Sequence, residues 1–109
     1  MDIFKSWLVE RPISHRGFFD NDNGIPENSL KAFENSIKYN YPIELDVQVT
    51  DDDTVVVFHD NELSRATGRD GYTTHLKAQD LHTYKLFGTE EHIPTLSEPP
   101  GIMITAKHI

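Results

Sequence analysis

The sequence contains no cysteine among its 109 residues. Disulfide bridges, zinc–thiolate sites and thiol nucleophiles are therefore excluded. Basic residues are scarce, since 10 Lys and Arg face 18 Asp and Glu and the formal net charge is −8. A nucleic-acid partner is not expected, because binding to a phosphate backbone requires clustered Lys and Arg. An acidic chain that handles a phosphate group would need a local cation, which could be an Arg, a His or a metal ion.

Long apolar runs are also missing. No segment reaches the roughly 20 apolar residues of a membrane span, and the opening MDIFKSWLVERP does not have the pattern of a signal peptide. We therefore expect no membrane span and a cytoplasmic location. The chain is 37% hydrophobic and 26% charged, the balance of a folded globular protein. Its length fits at most one small domain and is short for a closed α/β barrel, which needs about 250 residues.

The apolar pattern predicts a strand, a helix and a strand in succession. Residues 11–15, RPISH, are expected to form a short strand. A helix is expected over residues 27–39, where apolar side chains recur at helical spacing. Strict alternation of apolar and polar side chains makes residues 43–50, IELDVQVT, the clearest strand. This order favours a βαβ unit with two parallel strands.

The second predicted strand leads into a hairpin. Residues 51–53 are expected to form the turn and residues 54–58 the returning strand. A register with Val47 opposite Val57 places His59 opposite Leu45, and so at the level of Glu44 and Asp46. A slip of one residue would instead turn His59 to the other face of the sheet.

Beyond His59 the pattern is irregular. Residues 64–71, SRATGRDG, are expected to form a loop, and residues 77–86 have a weak helical pattern. Residues 94–98, PTLSE, are typical of a helix start, which the next two prolines would break. Residues 101–109 could form a last strand.

Charged side chains are expected to gather at one end of this sheet. Glu44 and Asp46 lie two apart on one strand, so they share a face. Two carboxylates this close repel each other unless a cation lies between them, and Mg²⁺ and Ca²⁺ prefer oxygen ligands. His15 and Arg16 end the preceding strand, and sites gather at the carboxyl ends of parallel strands. The alternative is that the two carboxylates are the solvated face of an edge strand.

Four motifs occur in the order of one known family: HRG at residues 15–17, PENS at 26–29, IELDVQVT at 43–50 and VVVFHD at 55–60. In this order they resemble the glycerophosphodiester phosphodiesterase family over about residues 13–98. The resemblance implies an α/β fold, an incomplete TIM barrel made of the first βα units with a β-hairpin extension after the second strand. Residues 1–98 would be the N-terminal portion of that barrel and residues 99–109 a divergent tail.

The resemblance also implies metal-dependent hydrolysis of glycerophosphodiesters, the small-molecule substrates, to an alcohol and glycerol 3-phosphate. By this resemblance His15 and His59 would be the acid/base pair, and Arg16 would bind the phosphate. Glu44 and Asp46 would ligate Mg²⁺ or Ca²⁺. Glu27 would lie at the edge of the site, where it braces Arg16 or approaches the metal. In this picture a neighbouring hydroxyl of the substrate attacks first, and water then opens the cyclic phosphate. Which His is the acid and which the base stays open.

One departure from the family pattern concerns a third metal-binding carboxylate, which the family carries in a Glu-x-Lys context on a later strand. Here ITAK, residues 104–107, has Thr105 in the place of that Glu, with Lys107 two residues on. This departure, and a chain too short for the whole barrel, predict impaired catalysis and an open sheet edge that could allow self-association.

Two alternatives to the enzyme remain. One is a catalytically inactive barrel remnant that binds a metal, a phosphate or a partner chain. The other is a lipid phosphodiesterase of the sphingomyelinase D type, against which the absence of cysteine argues.

Overall fold

The computed structural model describes residues 13–98 and, as backbone, residues 104–108. Four strands form one sheet: β1 (Ser14–His15), β2 (Ile43–Val49), β3 (Val55–Val57) and β4 (Ile104–His108). The same ranges contain the helices α1 (Leu30–Lys38) and α2 (Ser64–Thr67) and the 3-10 helices Asn21–Asn23, Thr73–His75 and Ala78–Thr83. None of these helices has the length and apolar character needed to cross a membrane.

Strand β2 is the centre of the sheet. It pairs in parallel with β1 and with β4, and antiparallel with β3. Ile43 has both Ser14 of β1 and Ile104 of β4 as partners, so β1 and β4 lie on opposite edges of β2. Val47 likewise has both a β3 and a β4 partner. Strands β1 and β3 therefore occupy the same edge of β2, one after the other.

The ends of β1 and β3 meet on that shared edge. Strand β1 approaches the meeting point from the Ile43 end of β2, and the Arg16 amide donates a hydrogen bond to the Glu44 carbonyl. Strand β3 approaches it from the Val49 end of β2, and the Phe58 amide donates to the Asp46 carbonyl at 2.9 Å. The register of Val47 opposite Val57 is the one that the sequence predicts. The end of β1 and the residue after Phe58 thus arrive beside the two carboxylates of β2.

Two apolar clusters hold this sheet from either side. The first packs α1 on the sheet and consists of Phe33, Ile43, Leu45, Val47 and Val57. The second lies on the other side of the hairpin and consists of Val56, Phe58, Leu63, Ala66, Leu76, Leu81, Leu86 and Ile93. Because β3 alternates between the clusters, the segment 60–98 has its own small core and is anchored on the hairpin.

Helix α1 begins later than the periodicity predicts. The expected range was 27–39, but Asn28 has a left-handed backbone with φ 54° and Ser29 is extended. The Ser29 hydroxyl accepts a hydrogen bond from the Ala32 amide at 3.0 Å, which caps the helix. The helix consequently starts at Leu30, and the preceding residues form a turn that points towards the site.

Three expectations for the later segment differ from the structure. Residues 64–71 contain the one-turn helix α2, and the weak helical pattern of 77–86 corresponds to a 3-10 helix. Residues 94–98 form a turn, and the expected helix start is wrong for this described range. The Leu96 amide donates to the Val55 carbonyl at 2.9 Å, so this segment pairs with β3 where a helix was expected. Residues 11, 12 and 99–103 lie outside the described residues, while the last strand is confirmed at 104–108.

Candidate active site

A cavity of about 360 Å³ lies where β1 and β3 meet, lined by His15, Arg16, Phe19, Glu44, Asp46 and His59. Five of the six side chains that the sequence predicts for the site line it, and Glu27 stands behind Arg16. A larger cavity of about 600 Å³ adjoins it and shares only His59 with it. The smaller cavity is the candidate site, because both imidazoles and both carboxylates of β2 line it together with Arg16.

The two carboxylates of β2 are sheltered from solvent. The side chain of Asp46 is 7% exposed and that of Glu44 is 27% exposed. Strand β2 has neighbours on both edges. The solvated face of an edge strand, which the residues alone left open, is therefore wrong.

Asp46 is held in one orientation by groups on two neighbouring segments. The Asn28 side-chain amide donates to Asp46 Oδ2 at 3.1 Å, and the Asp46 amide donates to Asn28 Oδ1 at 3.4 Å. Arg16 Nε lies 3.5 Å from the same carboxylate oxygen. Asn28 is buried, and its left-handed backbone turns the side chain towards β2. The turn before α1 thus fixes a carboxylate of the sheet.

Each of the two imidazoles has a carboxylate at Nδ1. His15 Nδ1 lies 2.9 Å from Glu44 Oε1, and His59 Nδ1 lies 2.7 Å from Asp60 Oδ1. An ionised carboxylate only accepts hydrogen bonds, so Nδ1 of each ring is the donor. In both rings Nε2 is then the nitrogen that can take up or release a proton.

Gln48 fixes the backbone that carries His59. It lies two residues after Asp46 on the same face of β2 and is buried. Its side-chain amide donates to the carbonyl oxygens of Phe58 at 3.0 Å and of Asp60 at 2.7 Å. The segment that leaves β3 is therefore tied to the face of β2 that bears the carboxylates.

Glu27 is a buried carboxylate shared by two arginines. Arg65 donates to both of its oxygens, from Nη1 at 2.9 Å and from Nη2 at 2.7 Å. Arg16 Nη1 makes one longer hydrogen bond to Oε2 at 3.3 Å. The Asn21 side chain donates to Oε1 at 3.1 Å. Of the two positions that the resemblance allows for Glu27, the structure places it against Arg16.

These ion pairs determine the ionisation of the cluster. Burial alone would raise the pKa of Glu27, but hydrogen bonds from Arg65 and Asn21 and the charges of Arg65 and Arg16 together lower it. The Arg65 hydrogen bond is the main cause of a lowered pKa at Asp60. Hydrogen bonds to Glu27 and Asp60 raise the pKa of Arg65. All three groups are therefore charged at neutral pH.

The chemistry of the site suits a divalent cation in part. Glu27, Asp46 and Asp60 contact the guanidinium groups of Arg16 and Arg65, and Glu44 contacts His15. With both imidazoles neutral, four carboxylates against two guanidinium groups leave an excess of two negative charges. Glu44 and Asp46 present oxygen ligands of the kind that hard cations prefer. Across the described ranges, however, no three His, Asp or Glu side chains are grouped as a metal cage. The register places Thr105 beside Glu44, at the position where the resemblance implies a third carboxylate.

The profile of the "Glycerophosphoryl diester phosphodiesterase family" matches residues 15–106. The chain belongs to this family. It is 37% identical over 93 residues to a glycerophosphodiester phosphodiesterase of Caldanaerobacter subterraneus subsp. tengcongensis, covering 79% of this chain and 37% of that protein. It is also 34% identical over 107 residues to a lysophospholipase D of Rattus norvegicus, covering 86% of this chain and 33% of that protein.

Solved structures of glycerophosphodiester phosphodiesterases have the same fold. An Oleispira antarctica phosphodiesterase in complex with the product sn-glycerol-3-phosphate superposes with a TM-score of 0.73 and 28% identity, covering 89% of this chain and 44% of that one. A Thermotoga maritima glycerophosphodiester phosphodiesterase has a TM-score of 0.72 and 28% identity, covering 90% and 43%. The chain is thus a partial TIM barrel, as predicted, and spans about a third of the curated relatives' length.

Sequence reasoning missed several groups that organise this site: Asn21, Asn28, Gln48, Asp60 and Arg65. Asn28 and Asp60 stand inside quoted motifs, PENS and VVVFHD, so a closer reading of the motif letters could have found them. Gln48 has the same parity on β2 as Glu44 and Asp46. Arg65 lies in a segment read as loop, and no sequence signal links it to Glu27, 38 residues earlier.

Proposed function

We propose that this chain carries part of the catalytic site of a glycerophosphodiester phosphodiesterase, which hydrolyses a glycerophosphodiester to an alcohol and glycerol 3-phosphate. The single observation that carries the proposal is the cavity in which His15, Arg16, Glu44, Asp46 and His59 converge. Membership of the family supports the reaction class. The division of the chain at residue 98 and a cytoplasmic location remain predictions.

Arg16 would bind the substrate phosphate. Its side chain is partly exposed and lines the cavity, while Glu27 and Asp46 hold it from behind at 3.3 and 3.5 Å. These two contacts are long, so the guanidinium keeps donors for an incoming anion. A phosphodiester is an anion whose charge increases on the phosphoryl oxygens as the bond breaks, and a positioned guanidinium stabilises that charge.

His15 and His59 would transfer the protons. One imidazole would accept a proton at Nε2 from the attacking hydroxyl, and the other would donate one to the departing alkoxide. Both rings line the same cavity from β1 and from the end of β3. The carboxylates at their Nδ1 atoms orient the rings and fix the tautomer that this work requires.

Glu44 and Asp46 would hold a divalent cation, Mg²⁺ or Ca²⁺. When bound, the cation would offset the excess negative charge of the site and neutralise charge on the phosphoryl oxygens. Thr105 beside Glu44 adds no third carboxylate to this pair, and a metal affinity lower than that of a three-carboxylate site is expected.

The second candidate function is a catalytically inactive remnant that binds phosphate or pairs with another chain. The position of Thr105 favours it, because the family pattern has a carboxylate there. In the described part of the sheet, β4 pairs with β2 alone, so its second edge could take a further strand from another copy.

Turnover of glycerophosphocholine separates the two candidates. The experiment measures release of glycerol 3-phosphate after chelation of metals and again after addition of Mg²⁺ or Ca²⁺. The variants are His15→Ala and His59→Ala, and His82→Ala is the matched control, since His82 is exposed and outside the cavity. We expect metal-dependent turnover that both site variants lower at least about a hundredfold, as loss of an acid or base group does.

Two results would contradict the catalytic proposal. The first is turnover that His15→Ala and His59→Ala leave unchanged, which would assign the activity to another group. The second is no turnover with either metal, which would favour the remnant. Sedimentation of the same samples then shows whether a second copy pairs with the open edge.

A further inference from the structure

We propose that Arg65 is a positioning residue that keeps Arg16 available for the substrate anion. It would do so by occupying Glu27, and through Asp60 it would also orient His59. The inference rests on the proposed function, because it concerns the same site, but its first readout is binding and does not require turnover.

Among the residues that the structure describes, Arg65 makes the most charged contacts near the site. Its guanidinium donates to both oxygens of Glu27, at 2.7 and 2.9 Å. It also donates to both oxygens of Asp60, from Nε at 2.8 Å and from Nη2 at 3.1 Å. A planar guanidinium can make two such paired contacts at once, which an ammonium group cannot do in the same way. Arg65 therefore ties together two carboxylates that lie 33 residues apart in sequence.

The two arginines compete for one buried carboxylate. Glu27 is 4% exposed, so its charge needs a partner. Arg65 contacts it at 2.7 Å, whereas Arg16 approaches no closer than 3.3 Å. If Arg65 were removed, Glu27 would draw Arg16 into the short, paired contact. Arg16 would then bind a phosphate in the cavity more weakly, although Arg16 itself had not been substituted.

A second arm runs from Arg65 to an imidazole. Asp60 accepts hydrogen bonds from Arg65 and lies 2.7 Å from His59 Nδ1. Because Arg65 holds both Asp60 oxygens, the carboxylate cannot rotate away from the ring. The orientation of His59 Nε2 towards the cavity thus depends on Arg65 indirectly, through Asp60.

Arg65 belongs to the segment that packs on the hairpin. It lies on α2, between Leu63 and Ala66 of the second apolar cluster. Its guanidinium lies 5.6 Å from the centre of the Phe87 ring, and the Phe87 amide donates to the Ala66 carbonyl at 2.7 Å. The core of segment 60–98 therefore holds the base of Arg65, and Arg65 links this segment to the site.

The first test measures affinity for sn-glycerol 3-phosphate by titration calorimetry. The variants are Arg65→Met and Arg65→Lys, with Arg69→Met as the matched control. Arg69 lies four residues on, stacks 3.9 Å from the centre of the Tyr84 ring and donates to the Thr83 carbonyl, away from the cavity. We expect about tenfold weaker binding for Arg65→Met, a smaller loss for Arg65→Lys and less than about twofold for Arg69→Met, the scale of one charged hydrogen bond.

A double variant separates this role from a loss of structure. Glu27→Gln combined with Arg65→Met removes the carboxylate that would capture Arg16, so binding should recover to within about threefold of the wild type. Circular dichroism and thermal melts show which variants are folded. A double variant that binds as weakly as Arg65→Met, or an Arg65→Met protein that binds as tightly as the wild type, would overturn the proposal.

The outcome for turnover is distinct from the outcome for binding. If the wild type hydrolyses glycerophosphocholine, Arg65→Met should raise KM through Arg16 and lower kcat through His59, whereas Asp60→Asn should lower mainly kcat. A wild type that binds sn-glycerol 3-phosphate without turnover overturns the proposed function, but the binding measurements still test the role of Arg65. A wild type that does not bind it overturns both.

Discussion

Replacing Gly17 by Ala tests how the loop that carries Arg16 is built. Gly17 has a left-handed backbone with φ +81°. A Cβ atom on this residue would lie 2.8 Å from the Ala32 Cβ atom and 3.0 Å from Phe33 Cδ1. Both contacts are on α1, and both neighbours are fully buried. The loop therefore lies directly on the helix, and a side chain at Gly17 would have to push the two apart.

The cost of this change has two parts. A left-handed backbone costs a residue with a Cβ atom about 1–2 kcal/mol. Overpacking a well-packed contact costs about 1–3 kcal/mol more. The sum is about 2–5 kcal/mol, which is a large share of the stability of a small domain. Because Arg16 is the adjacent residue, the same displacement should weaken its hydrogen bond to the Glu44 carbonyl and so lower anion affinity.

Urea unfolding of three variants separates the two parts. Gly24 and Gly68 are also left-handed, with φ +78° and +72°, but a Cβ atom there would meet nothing within 4 Å. Gly24→Ala and Gly68→Ala should thus show only the backbone cost, and Gly17→Ala should be less stable than either by about 1–3 kcal/mol. Equal losses of unfolding free energy in all three variants would refute the close approach of the loop to α1.

Three further predictions follow from the same contacts. Ser29→Ala removes the cap from the Ala32 amide and should lower the unfolding free energy in urea by about 1–2 kcal/mol. Phe33→Ala leaves a cavity at a fully buried position and should cost about 3–5 kcal/mol by the same measurement. The fold lowers the pKa of Asp60, so this carboxylate stabilises the folded state at pH values above its ordinary pKa of 3.8. That stabilisation is lost as the pH falls through the folded-state pKa. Arg65 lowers the pKa of Glu27 in the same way, from an ordinary value of 4.5. The excess stability of wild type over Arg65→Met should therefore be full near neutral pH and shrink as the pH falls below 4.5 and then below 3.8, as followed by unfolding at a series of pH values.

Local chemistry accounts for the parts of the fold that the sequence predicts correctly. The alternation of residues 43–50 determines both a strand and the face on which Glu44 and Asp46 lie. The polar turn at residues 51–53 allows one hairpin register, which keeps the apolar residues of β3 buried. These signals are short in range, and nothing later in the chain opposes them.

Predictions that depend on distant packing were less accurate. Residues 94–98 have a helix-start pattern, yet Leu96 pairs with Val55 because β3 offers backbone groups that need partners. Helix α1 starts at Leu30 and not at residue 27, because the Asn28 side chain hydrogen-bonds to Asp46 of strand β2. In both places a tertiary contact outweighed a weak local preference.

The sequence by itself determined the family, the central strand and five of the six residues that line the cavity, because short motifs and a period of two residues are local properties. Only the tertiary structure decided how those groups share their charges. Glu27, Asp60 and Arg65 meet because the segment 60–98 folds back on the hairpin and buries its own apolar core there. Ion pairs between such distant residues leave no periodic trace in a chain, since hydrophobic burial brings them together and electrostatics only then selects the partners.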